Sequence, residues 1–169
     1  GTTAAQGFKG TFVGSSPTWN PALLQSAAAP ALEAMYFQAG PWGPWDTDTA
    51  GHKAMRDALG DVTPNDGYTA GWVWSYPLLA ALKAAAAGGD LNRESLEKAA
   101  ANLENIDYEG MLPDGAESTK GDPATVALRQ SVISGVDPDA STGVTIVQEF
   151  KAGSTATDAD FTKPCFSLE

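Results

Sequence analysis

The chain has 169 residues, 43% of them hydrophobic, which predicts one domain with a hydrophobic core rather than two complete domains. Its 21 acidic and 10 basic residues give a formal net charge of -11, which argues against nucleic acid or an anionic membrane as a partner. The longest apolar run, residues 76–89, is interrupted by Lys83 and is shorter than the ~20 residues that span a bilayer.

The first 46 residues predict two strands and one helix. "GFKGTFVGSS" indicates a short buried strand around Val13 that ends in a loop. Asn20 is a typical N-cap before Pro21, and Pro30 is expected to end the helix that follows. Residues 32–40 then predict a strand with Glu33 at its head, and the prolines of "GPWGPWDTD" exclude regular structure after it.

The rest of the chain predicts three helices and a strand pair. A helix is expected from Thr47 or Asp48 to Gly60. Residues 68–87 carry apolar side chains on every face, which is typical of a helix buried on most sides, and Asn92 is the predicted N-cap of a one-sided surface helix. Residues 128–136 and 143–152 show the two-residue period of a hairpin. This order of elements predicts the α/β class.

No metal site, cofactor site or catalytic motif is predicted. Asp46, Asp48, Gly51 and Asp57 fall on positions 1, 3, 6 and 12 of a calcium-binding loop. Position 5 is Ala50, which has no side-chain oxygen, and position 12 lacks the bidentate glutamate. A cluster of Asp and Thr residues that caps a helix is therefore the favoured interpretation.

The single histidine and the single cysteine do not suggest catalysis. His52 is predicted to be solvated on a polar helix face, and neither a "GxSxG" nor an "HExxH" motif accompanies it. Cys165 is expected either to be a small buried hydrophobic residue or to pair with a cysteine outside this sequence. Residues 1–10 lack the features of a signal peptide, so the chain is expected to be either cytosolic or a piece without such a segment.

Aromatic residues and one glutamate are the candidate ligand-binding groups. The five tryptophans lie at or near predicted loops and helix starts, where they would line either a cleft or the core: Trp19, Trp42, Trp45, Trp72 and Trp74. Core packing is favoured for Trp72 and Trp74. Glu33 is either the partner of a cationic ligand group or an ordinary exposed residue.

Several segments in a specific order resemble the C-terminal part of the type I periplasmic substrate-binding proteins of the branched-chain amino acid transporter family. They are "GFKGTFVGSS", "LEAMYFQAGPW", "GYTAGWVWSYPLLAALKAAAAGGDLNRESLEKAAANL" and "DYEGMLPDG", and the resemblance covers most of residues 7–150. In that family a "YAA…YDAVxLLAxAL" helix is followed by "GxL(T/N)REL"-like and "GxL" segments.

The resemblance implies a partial type I periplasmic-binding-protein fold, with two Rossmann-like three-layer lobes and a ligand between them. Residues 1–41 would then belong to the second lobe, 42–46 to a hinge crossing, 47–125 to the helical part of the first lobe, and 126–169 to strands of the second lobe. Because family members are considerably longer, the chain is expected to be a C-terminal fragment. Its Cys165 would then have a partner in the missing N-terminal part.

The same resemblance implies which residues bind the ligand. Glu33 in "EAM" matches a glutamate that binds the ligand's ammonium group, although Ala34 replaces the usual glycine. Tyr68 matches the tyrosine at the helix start, whereas the family's "YD" is Val73 and Trp74 here. This departure, with Trp42 and Trp45 flanking the crossing, suggests a pocket for apolar or aromatic ligands, and Trp19 is included among the predicted ligand-binding residues.

The implied function is an extracytoplasmic solute-binding component of an ABC importer. The ligand would be a branched-chain or other apolar amino acid or an aromatic acid, the partners would be the permease subunits, and no catalysis is required. Because the same fold also acts in receptors, a ligand-sensing role is the alternative. An enzyme fragment, such as part of an α/β hydrolase, would require a nucleophile motif outside this sequence.

Overall fold

A computed structural model describes residues 1–122 and 127–162. The expectations for Cys165 therefore lie outside the described residues. Six helices and four strands are present there: α1 (Thr2–Ala5), β1 (Phe12–Ser15), α2 (Ala29–Met35), β2 (Tyr36–Gly40), α3 (Ala50–Leu59), α4 (Asp66–Ala87), α5 (Arg93–Ala100), β3 (Ser131–Val136), β4 (Val144–Lys151) and α6 (Ser154–Asp158). Two short 3-10 helices, Ser16–Thr18 and Pro21–Gln25, lie between β1 and α2.

The four strands form one mixed sheet in the order β1-β2-β3-β4. Strands β1 and β2 are parallel, with Phe12 opposite Tyr36 and Ser15 opposite Ala39. Strand β3 is antiparallel to both β2 and β4. The sheet thus joins strands from both ends of the chain, and the predicted α/β class and the terminal hairpin are confirmed.

Strand β1 forms where it was predicted, but the expectation that it is buried is wrong. It lies at the edge of the sheet, where β2 is its neighbour. Phe12 is 44% exposed and Val13 is 65% exposed. Apolar composition predicted a strand correctly, but it did not reveal that the strand occupies an edge.

The segment between the two parallel strands differs from its prediction. Asn20 caps a helix as expected, because its Oδ1 accepts the backbone N–H of Ala22, but this helix is a single 3-10 segment that ends at Gln25. Pro30 then lies in the first turn of α2 rather than ending a helix. A first-turn proline loses no hydrogen bond, since its missing N–H would be unpaired there anyway. Residues up to Met35 are consequently helical, and the strand begins only at Tyr36.

Helices α3 and α5 confirm the capping signals in the sequence. The Thr49 hydroxyl accepts the N–H of His52 at the start of α3, two residues later than the earliest predicted start. Gly60, with φ of 63°, ends α3 in a conformation that favours glycine. Asn92 and Ser95 form a reciprocal capping box at the start of α5.

Helix α4 is less buried than its composition predicts. It runs from Asp66 to Ala87, through Pro77, and packs against α3 and α5. Val73 and Ala81 are buried on the packed side, whereas Trp74 is 66% exposed and Leu78 is 57% exposed. The expectations that this helix is buried on most sides and that Trp74 belongs to the core are therefore wrong. Its second apolar face has no covering element within the described residues.

Buried apolar residues lie both among the helices and in the sheet. Ala81 of α4 packs with Leu103 and Ile106, which lie after α5. In the sheet, Val132 and Val144 are almost fully buried.

None of the helices in residues 1–122 and 127–162 is both long and apolar enough to cross a membrane.

Candidate functional site

Residues 41–46, which include the predicted crossing 42–46, lie between β2 and α3. Their main chain is held mostly from the helical side. The N–H of Trp45 donates to Asp66 Oδ1 at 2.7 Å, at the start of α4. The Arg56 guanidinium of α3 donates to the carbonyl oxygens of Trp45 and Thr47. We call residues 41–46 the crossing segment.

His52 also holds the crossing segment, and the prediction that it is solvated is wrong. Its side chain is fully buried. Nε2 lies 3.2 Å from the carbonyl oxygen of Gly43, and Nδ1 lies 2.7 Å from Thr49 Oγ1. Because a carbonyl only accepts, Nε2 carries the proton and Nδ1 accepts from the threonine hydroxyl. Burial lowers the pKa of His52, the nearby positive charge of Arg56 lowers it further, and the Gly43 carbonyl partly opposes both effects.

Asp66 is a partly buried acid of this region, and it was not among the predicted site residues. Burial raises the pKa of Asp66 and nearby Asp46 adds to the rise, whereas the Trp45 N–H and the Thr142 hydroxyl act against it. Thr142 therefore lies beside the carboxyl group. Yet Asp66 Oδ2 and Thr142 Oγ1 are both buried without a hydrogen-bond partner among the described residues. The sequence signal for Asp66 is its place directly after the N-cap Asn65.

Three of the predicted site residues lie where the crossing segment meets α4: Trp42 and Trp45 in the segment and Tyr68 in the helix. The ring of Trp42 packs edge-on against Trp74, with centroids 6.0 Å apart. The ring of Trp45 lies 6.2 Å from that of Tyr68. Tyr68 is 44% exposed, whereas Trp45 is only 5% exposed. Two aromatic pairs thus line this junction, and Trp74 is a member that the site prediction did not include.

Trp19 reaches the same region from the sheet side. Its indole N–H donates to the carbonyl oxygen of Thr142 at 2.8 Å, and its ring stacks on Tyr36 with centroids 5.4 Å apart. The side chain is buried, so these contacts show a packing role. A contact between Trp19 and a ligand stays a prediction.

Glu33 does not lie where it was predicted. It lies on α2, exposed, and not at the head of a strand as expected. Helix α2 precedes the first residue of β2, whereas the crossing segment follows the last residue, Gly40. The crossing segment, however, ends at Asp46, which contacts Ser141 in the β3–β4 turn, and this turn lies beyond the Tyr36 end of β2 because Phe37 is opposite Gly135. A ligand site shared by Glu33 and the aromatic residues stays a prediction.

Two of the three aspartates that fall on calcium-loop positions, Asp46 and Asp57, have other partners. Asp46 accepts hydrogen bonds from Ser141, and Asp57 forms an ion pair with Lys53 on the surface of α3. Thr49 is the helix cap. Within the described ranges, His, Cys, Asp and Glu residues form no cluster of three or more that would hold a metal ion.

These features define the class of protein. The mixed sheet, the short crossing segment and the helices beyond it form part of the type I periplasmic-binding-protein fold, as predicted. The chain is similar to the substrate-binding proteins of ABC transporters, as two solved structures show.

The first of these structures is a fatty acid ABC transporter substrate-binding protein from Thermomonospora curvata, with a TM-score of 0.76 and 26% sequence identity over 95% of this chain. The second is a branched-chain amino acid ABC transporter from Thermus thermophilus with bound valine, with a TM-score of 0.64 and 16% identity over 92% of this chain. At that identity the second comparison shows the fold alone. The chain spans 41% and 42% of the length of these two proteins.

No protein-family model matches the chain, and no curated protein sequence matches it. The resemblance predicted from the sequence is confirmed by the two solved structures. Both neighbours are named for ABC transporters.

Proposed function

We propose that this chain is part of the solute-binding component of an ABC importer, and that it acts outside the cytoplasm. The observation that carries the proposal is the TM-score of 0.76 over 95% of the chain with a substrate-binding protein of such a transporter. The ligand would lie in a cleft between two lobes and be enclosed when the lobes close. The closed form would then be recognised by the permease subunits.

The division of the chain into lobes is also part of the proposal. Residues 1–41 and 126–169 would form one lobe, 47–125 the helical part of the other, and 42–46 the hinge crossing. The pairing of β2 with β3 supports the first assignment, because it joins the two ends of the chain in one sheet. The packing of α4 on α3 and α5, and not on a strand, supports the second.

An apolar carboxylate is the ligand class that the chain supports best. The names of the two neighbours mention a fatty acid and valine, which share a carboxylate and an apolar chain. Exposed Tyr68 and half-buried Trp42 offer apolar and aromatic surface beside the crossing segment. An amino acid would in addition require a partner for its ammonium group, for which Glu33 is proposed.

The exposed face of α4 indicates a further partner. Trp74 and Leu78 are each more than half exposed, although large apolar side chains are normally buried. We propose that a further, N-terminal part of the same protein covers this face, since the chain spans only 41% and 42% of the length of the two neighbours. Packing of that part on α4 would bury Trp74 and shift its fluorescence to shorter wavelength than in the chain alone. A full-length gene product in which Trp74 stays accessible to a quencher would contradict this assignment.

Thermal-shift measurements on the gene product that contains this chain test the ligand class. The panel would contain leucine, isoleucine, valine, aromatic acids and fatty acids of increasing length. A ligand present at 100 times its dissociation constant stabilises the native state by about 2.7 kcal/mol, which is a shift of several degrees. Stabilisation by acids of one class supports the proposal. No shift with any member of the panel would contradict the proposed ligand class.

The role of Glu33 has its own test. Glu33→Gln is expected to weaken amino acid binding if this carboxylate pairs with an ammonium group, and to leave fatty acid binding unchanged. Glu149→Gln is the matched control, because Glu149 is also exposed but lies on β4. Unchanged amino acid affinity in Glu33→Gln would remove this residue from the binding site.

A further inference from the structure

The helices and the sheet meet near the crossing segment, where polar contacts join them and a Cβ atom at Gly43 would lie 3.1 Å from Ile146 Cδ1 of β4. We call α3, α4, α5 and the crossing segment the helical group, and β1 to β4 with the β3–β4 turn the sheet group. The strands pack on one another and on α2, and the helical group packs within itself. The relative orientation of two such groups depends strongly on the few contacts that connect them.

Asp46 and Ser141 form the best-defined of these contacts. Asp46 Oδ2 accepts the backbone N–H of Ser141 at 2.7 Å, and Oδ1 accepts its hydroxyl at 2.7 Å. One carboxylate thus receives two short hydrogen bonds from a single residue of the β3–β4 turn. Such charge-assisted, two-point contacts fix direction as well as distance. The residues are 95 positions apart in the chain.

The turn that presents Ser141 is itself well ordered by hydrogen bonds. The N–H of Asp137 donates to the carbonyl oxygen of Gly143, and the N–H of Gly143 donates to that of Ala140. Next to Ser141, the carbonyl oxygen of Thr142 accepts the indole N–H of Trp19. Ser141 is therefore anchored to the sheet group on both sides.

Asp46 is anchored to the helical group in the same way. The residue before it, Trp45, is bonded through its N–H to Asp66 and through its carbonyl oxygen to Arg56. The next residue, Thr47, donates its N–H to the carbonyl oxygen of Pro44. The crossing segment is thus fixed to α3 and α4, and a movement of the two groups must change the contact between Asp46 and Ser141.

We propose that the Asp46–Ser141 contact is a clasp that holds the helical group and the sheet group in one orientation. The inference rests on the proposed function in one respect: in a two-lobe binding protein, this orientation decides whether the cleft is open or closed. Without the clasp, the other orientation gains population, since a two-state equilibrium follows the contacts that differ between its states. Asp46 then controls ligand affinity without touching the ligand.

Distances between two spin labels on the full chain test the clasp without any ligand. The labels are attached to Glu94→Cys on α5 and Glu149→Cys on β4, both exposed positions, with Cys165→Ser as background. With Asp46 present, we expect one narrow distance distribution. Asp46→Ala is expected to broaden it or to add a second distance, and Ser141→Ala, which keeps the N–H donor, to give a smaller change.

Asp48→Ala is the matched control, because Asp48 is an exposed aspartate only two residues from Asp46 and takes part in no hydrogen bond described here. Its distance distribution should equal that of the background. An unchanged distribution in Asp46→Ala with an unchanged melting temperature would overturn the proposal. If Asp46→Ala does not fold, Ser141→Ala decides the question by the same criterion. Because no ligand is added, the result is independent of whether the proposed importer function is correct.

Discussion

Replacing Gly51 by alanine tests how closely α3 approaches the loop that follows α5. Gly51 is the second residue of α3 and is buried. A Cβ atom at this position would lie 2.5 Å from Met111 Cγ, 2.7 Å from Met111 Sδ and 2.9 Å from the Tyr76 hydroxyl. Met111 is fully buried, so its side chain has no solvent-filled space to move into. We therefore expect the added methyl group to destabilise the fold.

The size of this effect follows from two opposing contributions. Alanine is favoured over glycine within helices by about 1 kcal/mol. Overpacking a well-packed interior costs about 1–3 kcal/mol. Gly51→Ala should therefore range from nearly neutral to about 2 kcal/mol less stable. Gly71→Ala is the matched control, since Gly71 lies within α4 and has no atom within 4 Å of its Cβ position. It should gain about 1 kcal/mol.

Urea denaturation of the two variants gives the free energies of unfolding. Because the helix preference largely cancels between them, their difference of about 1–3 kcal/mol measures the clash. Each kcal/mol corresponds to about 2–4 °C in Tm for a chain of this size. Adding Met111→Ala should remove most of the penalty of Gly51→Ala, which appears as a coupling in a double-mutant cycle. Equal stabilities of Gly51→Ala and Gly71→Ala would refute the close approach.

Other predictions concern buried titratable groups and one turn. Since burial lowers the pKa of His52 below its ordinary value of 6.5, its contribution to stability is complete above that value and is lost as the pH falls through the folded-state pKa. We expect this group to change the free energy of unfolding by at most about 1.4 kcal/mol per pH unit in that range. His52→Gln should abolish this contribution in urea denaturations at several pH values, and an unchanged pH dependence would contradict the prediction. The pKa of Asp66 is raised, so stability from this group falls as the pH rises from 3.8 through the folded-state pKa. Asp66→Asn keeps an acceptor for the Trp45 N–H without a buried charge, and it should be at least as stable as the parent at pH 7; a clear loss of Tm would show that the charge is required. Gly143→Ala should lose about 1–2 kcal/mol or more, because Gly143 has φ of 76° and its Cβ position lies 2.8 Å from Leu24 Cδ1. Gly153→Ala, with open space around it, is the control, and equal unfolding midpoints would refute the prediction.

The sequence by itself determined the elements whose signals are local. Asn92 and Gly60 mark helix ends through hydrogen bonds and backbone conformations that involve only neighbouring residues, and both ends were predicted correctly. The alternation in residues 128–136 and 143–152 predicted the hairpin for the same reason. Pro30 shows the limit of such signals, because one proline fits both the end of a helix and the first turn of the next.

Exposure and contacts between distant segments required the tertiary structure. The apolar faces of β1 and α4 predicted burial, but whether a face is covered depends on elements far away in the sequence. His52 was expected in solvent because its helix has a polar composition, yet the crossing segment folds over it and buries it.

The same distinction between local signals and long-range contacts applies to the candidate site. The sequence picked out Trp19, Trp42 and Trp45 as residues near loops and helix starts, and the resemblance added Tyr68. Trp42, Trp45 and Tyr68 do lie where the crossing segment meets α4, whereas Trp19 contacts Thr142 at the β3–β4 turn. Asp66 escaped notice because only folding buries its carboxyl group beside Thr142, 76 positions further along the chain. A sequence encodes local geometry through neighbouring residues, whereas burial and charge in a site arise from long-range packing, and only the folded chain decides them.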